Sequence, residues 1–191
     1  MRSRILGGIL VAMVVGVVAA PARAADNYAV DGMHAGIYFK ISHLGLSSVF
    51  GRFNEFSGNF TIDPDDASKC TFTMNIKAES IDTGNRKRDD HLRSPDFFNV
   101  KQFPTLTFKS TSVKAGKDGY QVTGDLTMHG VTRPVTFALA GGKKAEFPKG
   151  VQRTGFSTEF TIKRSDFEVN KFLEAVGDEV RIAISFEGTK Q

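Results

Sequence analysis

The sequence has no tryptophan and a single cysteine, Cys70, among its 191 residues. One cysteine excludes an intramolecular disulfide, so packing and sheet hydrogen bonds must hold the fold. Cys70 is expected to act as a small buried hydrophobe, with a reactive thiol as the alternative. Histidine is also scarce, and none of its occurrences forms an H-x-H or H-E-x-x-H pair, so no metal site is expected. The histidines are His34, His43, His91 and His129.

Recognisable catalytic motifs are absent from the sequence. It contains no G-x-S-x-G element, and no glycine-rich phosphate loop follows a strand-like segment. No group of residues combines a nucleophile, a base and an orienting side chain. We therefore expect no catalytic residues and a protein that is not an enzyme. A barrel enzyme or a structural stress protein acting on a small apolar molecule remains the alternative.

A long apolar run occurs only at the start of the chain. Arg2 and Arg4 precede an uncharged segment, Ile5–Val18, and Ala22–Ala24 supplies a small-x-small cleavage site. This layout is typical of a secretory signal peptide, and the run is shorter than the ~20 residues of a membrane span. We expect residues 1–24 to be removed, leaving residues 25–191 as one domain located in the periplasm.

Excess charge of one sign is also missing once the leader is removed. The net charge of +4 falls to +1 without Arg2, Arg4 and Arg23, and no acidic residue is lost with them. A nucleic-acid-binding protein normally carries a basic stripe, so no nucleic-acid partner is expected.

Alternation of apolar and polar residues is what the mature sequence does have. In Gly36–His43, Ile37, Phe39 and Ile41 alternate with polar neighbours, as in a strand with one dry face. Eight such segments predict an all-β antiparallel sandwich or barrel. They are Asn27–Asp31 with Ala35–His43, Val49–Ile62, Cys70–Ala78, Thr105–Val113, Tyr120–Met128, Val131–Ala140, Gly155–Lys163 and Glu179–Glu187.

Short turn signals separate most of these segments. Asp63–Asp66 is a turn cluster, Lys117–Gly119 fits a hairpin turn, and His129-Gly130 fits a tight turn in which glycine tolerates positive φ. Pro134 lies inside a strand segment and lacks an N–H group. It is therefore expected at a bulge or at an unpaired edge position.

One connection, Glu79–Pro104, is too long for a turn. Its middle, Arg86–Arg93, has no β-branched residue and predicts a short helix capped by Thr83 or Asn85 and ended by Ser94-Pro95. Long loops in compact domains are often lids or binding loops. Both a lid and a fixed plug for one barrel end fit this segment.

Phenylalanine is abundant, with 17 residues, all of them after the leader. Its ring has no polar atom to satisfy, so it can face an apolar cavity without cost. An eight-stranded barrel has room either for side chains alone or for one small ligand. The alternation by itself does not separate a solid core from a hollow one.

Four stretches in order resemble the YceI family of bacterial exported proteins. They are Asp31-x-x-His34 with "IYFKISHLGLSSVFGRF", then "HLRSPDFFNVKQFPTLTFKS", "GDLTMHGVTRPV" and "RSDFEVNKFLEAVGDEVRIAISFEG". The resemblance implies an eight-stranded antiparallel lipocalin-like barrel, with a short helix inserted between strands three and four. It also implies a periplasmic or secreted protein that holds an isoprenoid or similar lipid along the barrel axis. Glu168 stands where the family commonly has glycine.

On this basis we predict a polyisoprenoid, isoprenoid quinone or fatty-acid-like lipid as the ligand, and no other cofactor. Arg93 or Lys101 would pair with its polar head, although solvated loop charges are the alternative. The helix face with Arg86, Lys87 and Arg88 would contact a membrane transiently or be merely solvated. A homodimer is left open. The predicted lining residues are Phe39, Ile41, Phe60, Phe72, Met74, Ile76, Phe97, Phe98, Leu106, Phe108, Leu126, Phe137, Phe160 and Ile162.

Overall fold

The computed structural model describes residues 24–191, so the predicted leader lies almost entirely outside the described residues. Ten strands, one α-helix and three short 3₁₀-helices make up this part of the chain. The strands and α-helix are β1 (Asp26–His43), β2 (Ser47–Phe53), β3 (Phe56–Ile62), β4 (Thr71–Lys77), β5 (Ile81–Asp82), α1 (Arg86–Arg93), β6 (Thr105–Gly116), β7 (Gly119–Met128), β8 (Val131–Glu146), β9 (Gln152–Lys163) and β10 (Val176–Lys190). The 3₁₀-helices span Ala67–Lys69, Ala78–Ser80 and Arg164–Phe167.

Eight antiparallel strands close into a barrel, which confirms the predicted fold class. The order around the barrel is β1-β3-β4-β6-β7-β8-β9-β10, and β10 pairs back with β1. The long strand β1 pairs with β3 through Asp26–Ala29 and with β2 through Ile37–His43. The segment predicted as one strand, Val49–Ile62, is therefore two strands interrupted at Asn54 and Glu55. The two-residue β5 pairs with β2 beyond the closed ring.

Helix α1 lies where the sequence predicts it, between the third and fourth strands of the closed barrel, β4 and β6. Asn85 caps it, because its side chain accepts a hydrogen bond from the Arg88 N–H at 3.1 Å. The other predicted cap, Thr83, instead donates its backbone N–H to the buried carboxylate of Asp89 at 2.9 Å. These bonds attach the first turn of the helix to the chain that leads out of β5.

The ladder between β8 and β9 covers only one end of these strands. It runs from the Ala140–Ser157 pair to the Glu146–Gln152 pair. Residues 131–139 of β8 have no ladder partner among residues 158–163 of β9, and we call this stretch the β8–β9 seam. Pro134 lies in the seam, where β8 pairs with β7 but has no ladder partner on β9, so it occupies an edge position as predicted.

Aromatic side chains fill one end of the barrel. The ring of Phe60 lies between Tyr28 and Phe72, with ring centroids 5.0 Å and 5.8 Å away, and both pairs are close to parallel. Phe156 and Phe186 approach Phe60 edge-on at 5.7 Å and 5.4 Å. We call these five residues the aromatic floor. Because they leave little room for solvent, this end of the barrel is closed.

Cys70 lies in the same buried cluster as the aromatic floor. Its sulfur accepts a hydrogen bond from the Asp63 N–H at 3.3 Å. The predicted packing role of this cysteine is confirmed, since the thiol is buried and engaged by the backbone.

Candidate ligand-binding cavity

The barrel is hollow above the aromatic floor. A cavity of about 350 Å³ lies between the strands and α1, which is within the usual range for ligand pockets. Inward-facing side chains of almost every barrel strand form its wall. Every side chain that the sequence predicted to line a tunnel lies on this wall, from Phe39 on β1 to Ile162 on β9. That a lipid contacts them stays a prediction.

The cavity runs from the aromatic floor to the end of the barrel that carries α1. Phe60, Phe72 and Phe186 contribute to its lower wall, and Arg88, His91 and Leu92 of α1 to its upper wall. Because the floor is packed, the opening lies at the α1 end, which we call the mouth. The arrangement is a tunnel that is closed at the aromatic floor.

Aromatic rings surround the mouth next to α1. The His91 and Phe97 rings meet edge to face at 5.1 Å, and the Phe53 and Phe98 rings do so at 5.9 Å. The Phe98 N–H donates to the Leu92 carbonyl at 2.9 Å, which holds the turn after the helix. These contacts join α1 to the barrel wall and favour a fixed plug that narrows the entrance.

The two cations predicted to bind a polar head do not reach the cavity. Neither Arg93 nor Lys101 is part of the wall. The Arg93 guanidinium donates instead to the backbone carbonyls of Glu79 and Ile81, at 2.8 and 2.7 Å, and so ties α1 to the preceding segment. Lys101 is exposed in the turn that follows the helix.

Other polar side chains line the cavity at its mouth end. Arg88, His91 and Arg164 all contribute to the wall. Phe172 connects α1 with the loop that Arg164 holds. Its ring centroid lies 6.2 Å from that of His91 on α1, and Phe172 itself belongs to the loop between Val169 and Val176, whose carbonyls bind Arg164. Polar groups within an otherwise apolar wall fix the orientation of a ligand in typical pockets. A ligand with a polar head would therefore place that head at this end.

Arg164 is a buried cation, with only 4 % of its surface exposed. Its guanidinium donates to the carbonyls of Gly177 at 3.0 Å, Val169 at 2.6 Å and Val176 at 2.8 Å. Burial lowers the pKa of the Arg164 guanidinium below its usual value, and the charges of Asp178 and Glu174 oppose that shift. An arginine nevertheless stays charged at neutral pH, so the guanidinium carries positive charge at the edge of the cavity.

Sequence reasoning missed part of the wall for two different reasons. Val180, Ile182 and Ile184 of β10 form an alternating line, so their period of two could have identified them. No sequence pattern identifies Arg88 and His91 as wall residues, because the face that a short helix turns towards the cavity depends on how the helix packs.

Ion pairs hold the barrel at the opposite end from the mouth. Asp26 accepts from Lys144 and Lys190, each at 2.7 Å, and these contacts lower the pKa of its carboxyl to about 2. Asp31 accepts from Arg153 at 2.6 Å and from His34 at 2.8 Å, and its pKa is also lowered. The Asp31–His34 pair lies where the β1–β10 register shifts.

Within residues 24–191, no three or more His, Cys, Asp or Glu side chains come together in a way that could hold a metal ion. In the same part of the chain, no helix combines the length and apolar character needed to cross a membrane.

The sequence resembles curated proteins over most of its length. It is 44 % identical over 175 residues to a UPF0312 protein of Pseudomonas aeruginosa, covering 91 % of each chain. It is 42 % identical over 169 residues to the protein YceI of Salmonella arizonae, covering 87 % of this chain and 88 % of the relative.

Solved structures share the barrel. Burkholderia cenocepacia BcnA superposes with a TM-score of 0.74 at 28 % identity, covering 83 % of this chain and 98 % of BcnA. A polyisoprenoid binding domain from Saccharophagus degradans superposes with a TM-score of 0.65 at 16 % identity, covering 86 % and 98 %. At that identity the second likeness shows the fold alone. The YceI-like domain model matches residues 28–188, and the chain belongs to the family of YceI-like domain proteins.

Proposed function

We propose that this protein binds one amphiphilic lipid in its cavity and carries or stores it in the periplasm without chemically changing it. The ligand class is a polyisoprenoid, an isoprenoid quinone or a fatty-acid-like chain. The observation that carries this proposal is the blind apolar tunnel of about 350 Å³ above the aromatic floor. The Saccharophagus degradans domain, which shares the barrel fold, is described as polyisoprenoid binding.

The energetics of such a complex are favourable. Burying about 500 Å² of tail surface contributes roughly 12 kcal/mol at ~25 cal/mol per Å². Lost translational freedom and chain ordering cost at least about 4 kcal/mol of this. At the lower end of that cost roughly 8 kcal/mol remains, which corresponds to a dissociation constant of about 1 μM. Met74, which is unbranched and lies on the wall, lets the tunnel adapt to tails of different shape.

The lipid would enter tail first. Its apolar end would rest on the rings of Phe60 and Phe186 at the closed end of the cavity. Its polar head would stay at the mouth beside Arg88 and His91. A phosphate, carboxylate or carbonyl oxygen there would share Arg88 with Thr83, whose hydroxyl accepts from Arg88 Nε at 2.7 Å, and His91 with Asp96, 2.9 Å away. This assignment replaces Arg93 and Lys101 as the head-group contacts.

Native mass spectrometry of protein purified from its own periplasm tests the proposal, followed by solvent extraction and lipid analysis. We expect a stoichiometric adduct that extracts as an isoprenoid or acyl lipid. Met74→Trp, which fills the tunnel, should lose the adduct, whereas Met33→Trp, on the exposed surface, should keep it. A bare mass for gently handled protein, with no uptake of added prenyl or acyl lipids, would refute the proposal.

A further inference from the structure

Large exposed hydrophobic side chains concentrate at the mouth of the barrel. Five of them form what we call the mouth patch: Leu44, Leu46, Phe50, Phe172 and Leu173, with exposed fractions of 56, 85, 66, 42 and 40 %. Leu44 and Leu46 form the tip between β1 and β2, and Phe50 follows on the outer side of β2. Contiguous exposed apolar groups of this size mark interaction sites on soluble proteins.

The patch is continuous from one loop to the next. The Leu44 N–H donates to the Ala175 carbonyl at 2.7 Å, so the β1–β2 tip and the Phe172–Ala175 turn lie side by side. Phe172 is exposed on one side and lines the cavity on the other. The apolar surface outside the barrel therefore leads directly into the apolar wall within it.

Each exposed aromatic ring of the mouth patch has an ammonium group beside it. Lys40 Nζ lies 5.6 Å from the centroid of the Phe50 ring, and Lys171 Nζ lies 5.1 Å from that of Phe172. Lys171 is also 3.5 Å from the Asp96 carboxylate. Rings bordered by lysines fit the boundary between acyl chains and anionic headgroups, where the ring is buried and the ammonium reaches a phosphate.

We propose that the mouth patch docks onto the surface of an anionic lipid bilayer, with the entrance of the cavity facing the membrane. Leu44, Leu46 and Leu173 enter the acyl boundary, and Lys40 and Lys171 contact headgroup phosphates. A lipid could then move between bilayer and cavity without crossing water. A role for docking in lipid transfer rests on the lipid-carrier function proposed above. Docking itself is measured in a separate experiment. The patch also differs from the α1 face predicted from the sequence.

The absence of tryptophan makes a direct test possible. Leu46→Trp places the only tryptophan in the patch, and Met33→Trp places it at an equally exposed site that lies outside the patch. Vesicles of phosphatidylethanolamine and phosphatidylglycerol with brominated acyl chains serve as the probe. We expect a blue shift and at least twofold quenching for Leu46→Trp alone. Equal quenching of both variants, or none, would overturn the proposal. So would a blue shift that grows with protein concentration without vesicles, which would assign the patch to a second copy of the chain.

A second pair of variants separates docking from carriage. Leu46→Ser with Leu173→Ser should reduce co-sedimentation with the same vesicles at least fivefold, and Met33→Ser with Phe147→Ser should not. Uptake of a prenyl lipid from detergent should be unchanged in both, since none of these residues lines the cavity. Unchanged co-sedimentation would overturn docking alone. Failure of the parent protein to take up lipid would overturn carriage, while docking would still be judged by the vesicles.

Discussion

Phe137 of β8 stacks on Phe160 of β9, with ring centroids 4.8 Å apart and planes within 17° of parallel. The stack lies across the β8–β9 seam, where the two strands make no ladder. The buried hydroxyl of Thr158 adds a hydrogen bond to the Ala138 carbonyl at 2.7 Å. Side chains, rather than backbone pairing, therefore hold this part of the barrel wall together.

A double-mutant cycle tests that interpretation. Phe137→Ala and Phe160→Ala, singly and together, should show a coupling free energy of about 1 kcal/mol in urea unfolding, as expected for a ring pair. The non-contacting pair Phe137 and Phe53 serves as the control and should couple by less than about 0.5 kcal/mol. Coupling no larger than the control would mean that the stack does not hold the seam.

Glu168 adopts a left-handed backbone conformation, with φ 61° and ψ 18°, at the end of the Arg164–Phe167 3₁₀-helix. This explains why glycine is common here in the family that the sequence resembles, since side chains are strained in that region. Glu168→Gly should be more stable than Glu168→Val by about 2 kcal/mol, because a β-branched residue fits this conformation worst. Thermal unfolding of both, with Glu168→Ala as the control for loss of the carboxylate, measures the difference. Equal stability of the three variants would contradict the prediction.

Arg164→Lys should destabilise the protein by about 3 kcal/mol. A lysine cannot reproduce the fork of donors to Val169, Val176 and Gly177, and it leaves buried carbonyls unpaired. Arg181→Lys is the matched control, because Arg181 pairs with Glu159 on the surface, where the loss should stay below about 1 kcal/mol. Urea unfolding of both variants gives the comparison, and similar losses would show that the buried fork is not a major stabilising contact.

Acid should weaken the end of the barrel opposite the mouth. Since the folded-state pKa of Asp26 is about 2, against a usual 3.8, its stabilising effect is complete above pH 3.8 and is lost as the pH falls towards 2. Asp26→Asn should therefore unfold at a lower temperature than the parent at pH 6, and the two melting temperatures should converge near pH 2. Asp125→Asn, which changes an exposed carboxylate of β7, should run parallel to the parent. A gap for Asp26→Asn that persists unchanged to pH 2 would refute the linkage.

The sequence by itself determined the eight barrel strands, the position of α1 and the side chains that face inward. Alternation with a period of two assigns each residue to a face of the sheet, because successive strand side chains point to opposite sides. The helix was equally readable, since Asn85 and Ser94 bound a segment without β-branched residues. Closure of the sheet then brings Phe39, Met74 and Phe160 to one wall, although they are far apart in the chain.

Only the tertiary structure decided how that wall is used. The period of two does not say that Phe60 and Phe72 fill one end while the other end stays open, because depth along the barrel depends on strand register and stagger. Nor does it show which cations face inward. Arg93 is turned away by two backbone carbonyls, and Arg164 is buried by a loop that folds over it. These orientations depend on contacts between segments distant in sequence, and local residue patterns do not encode them.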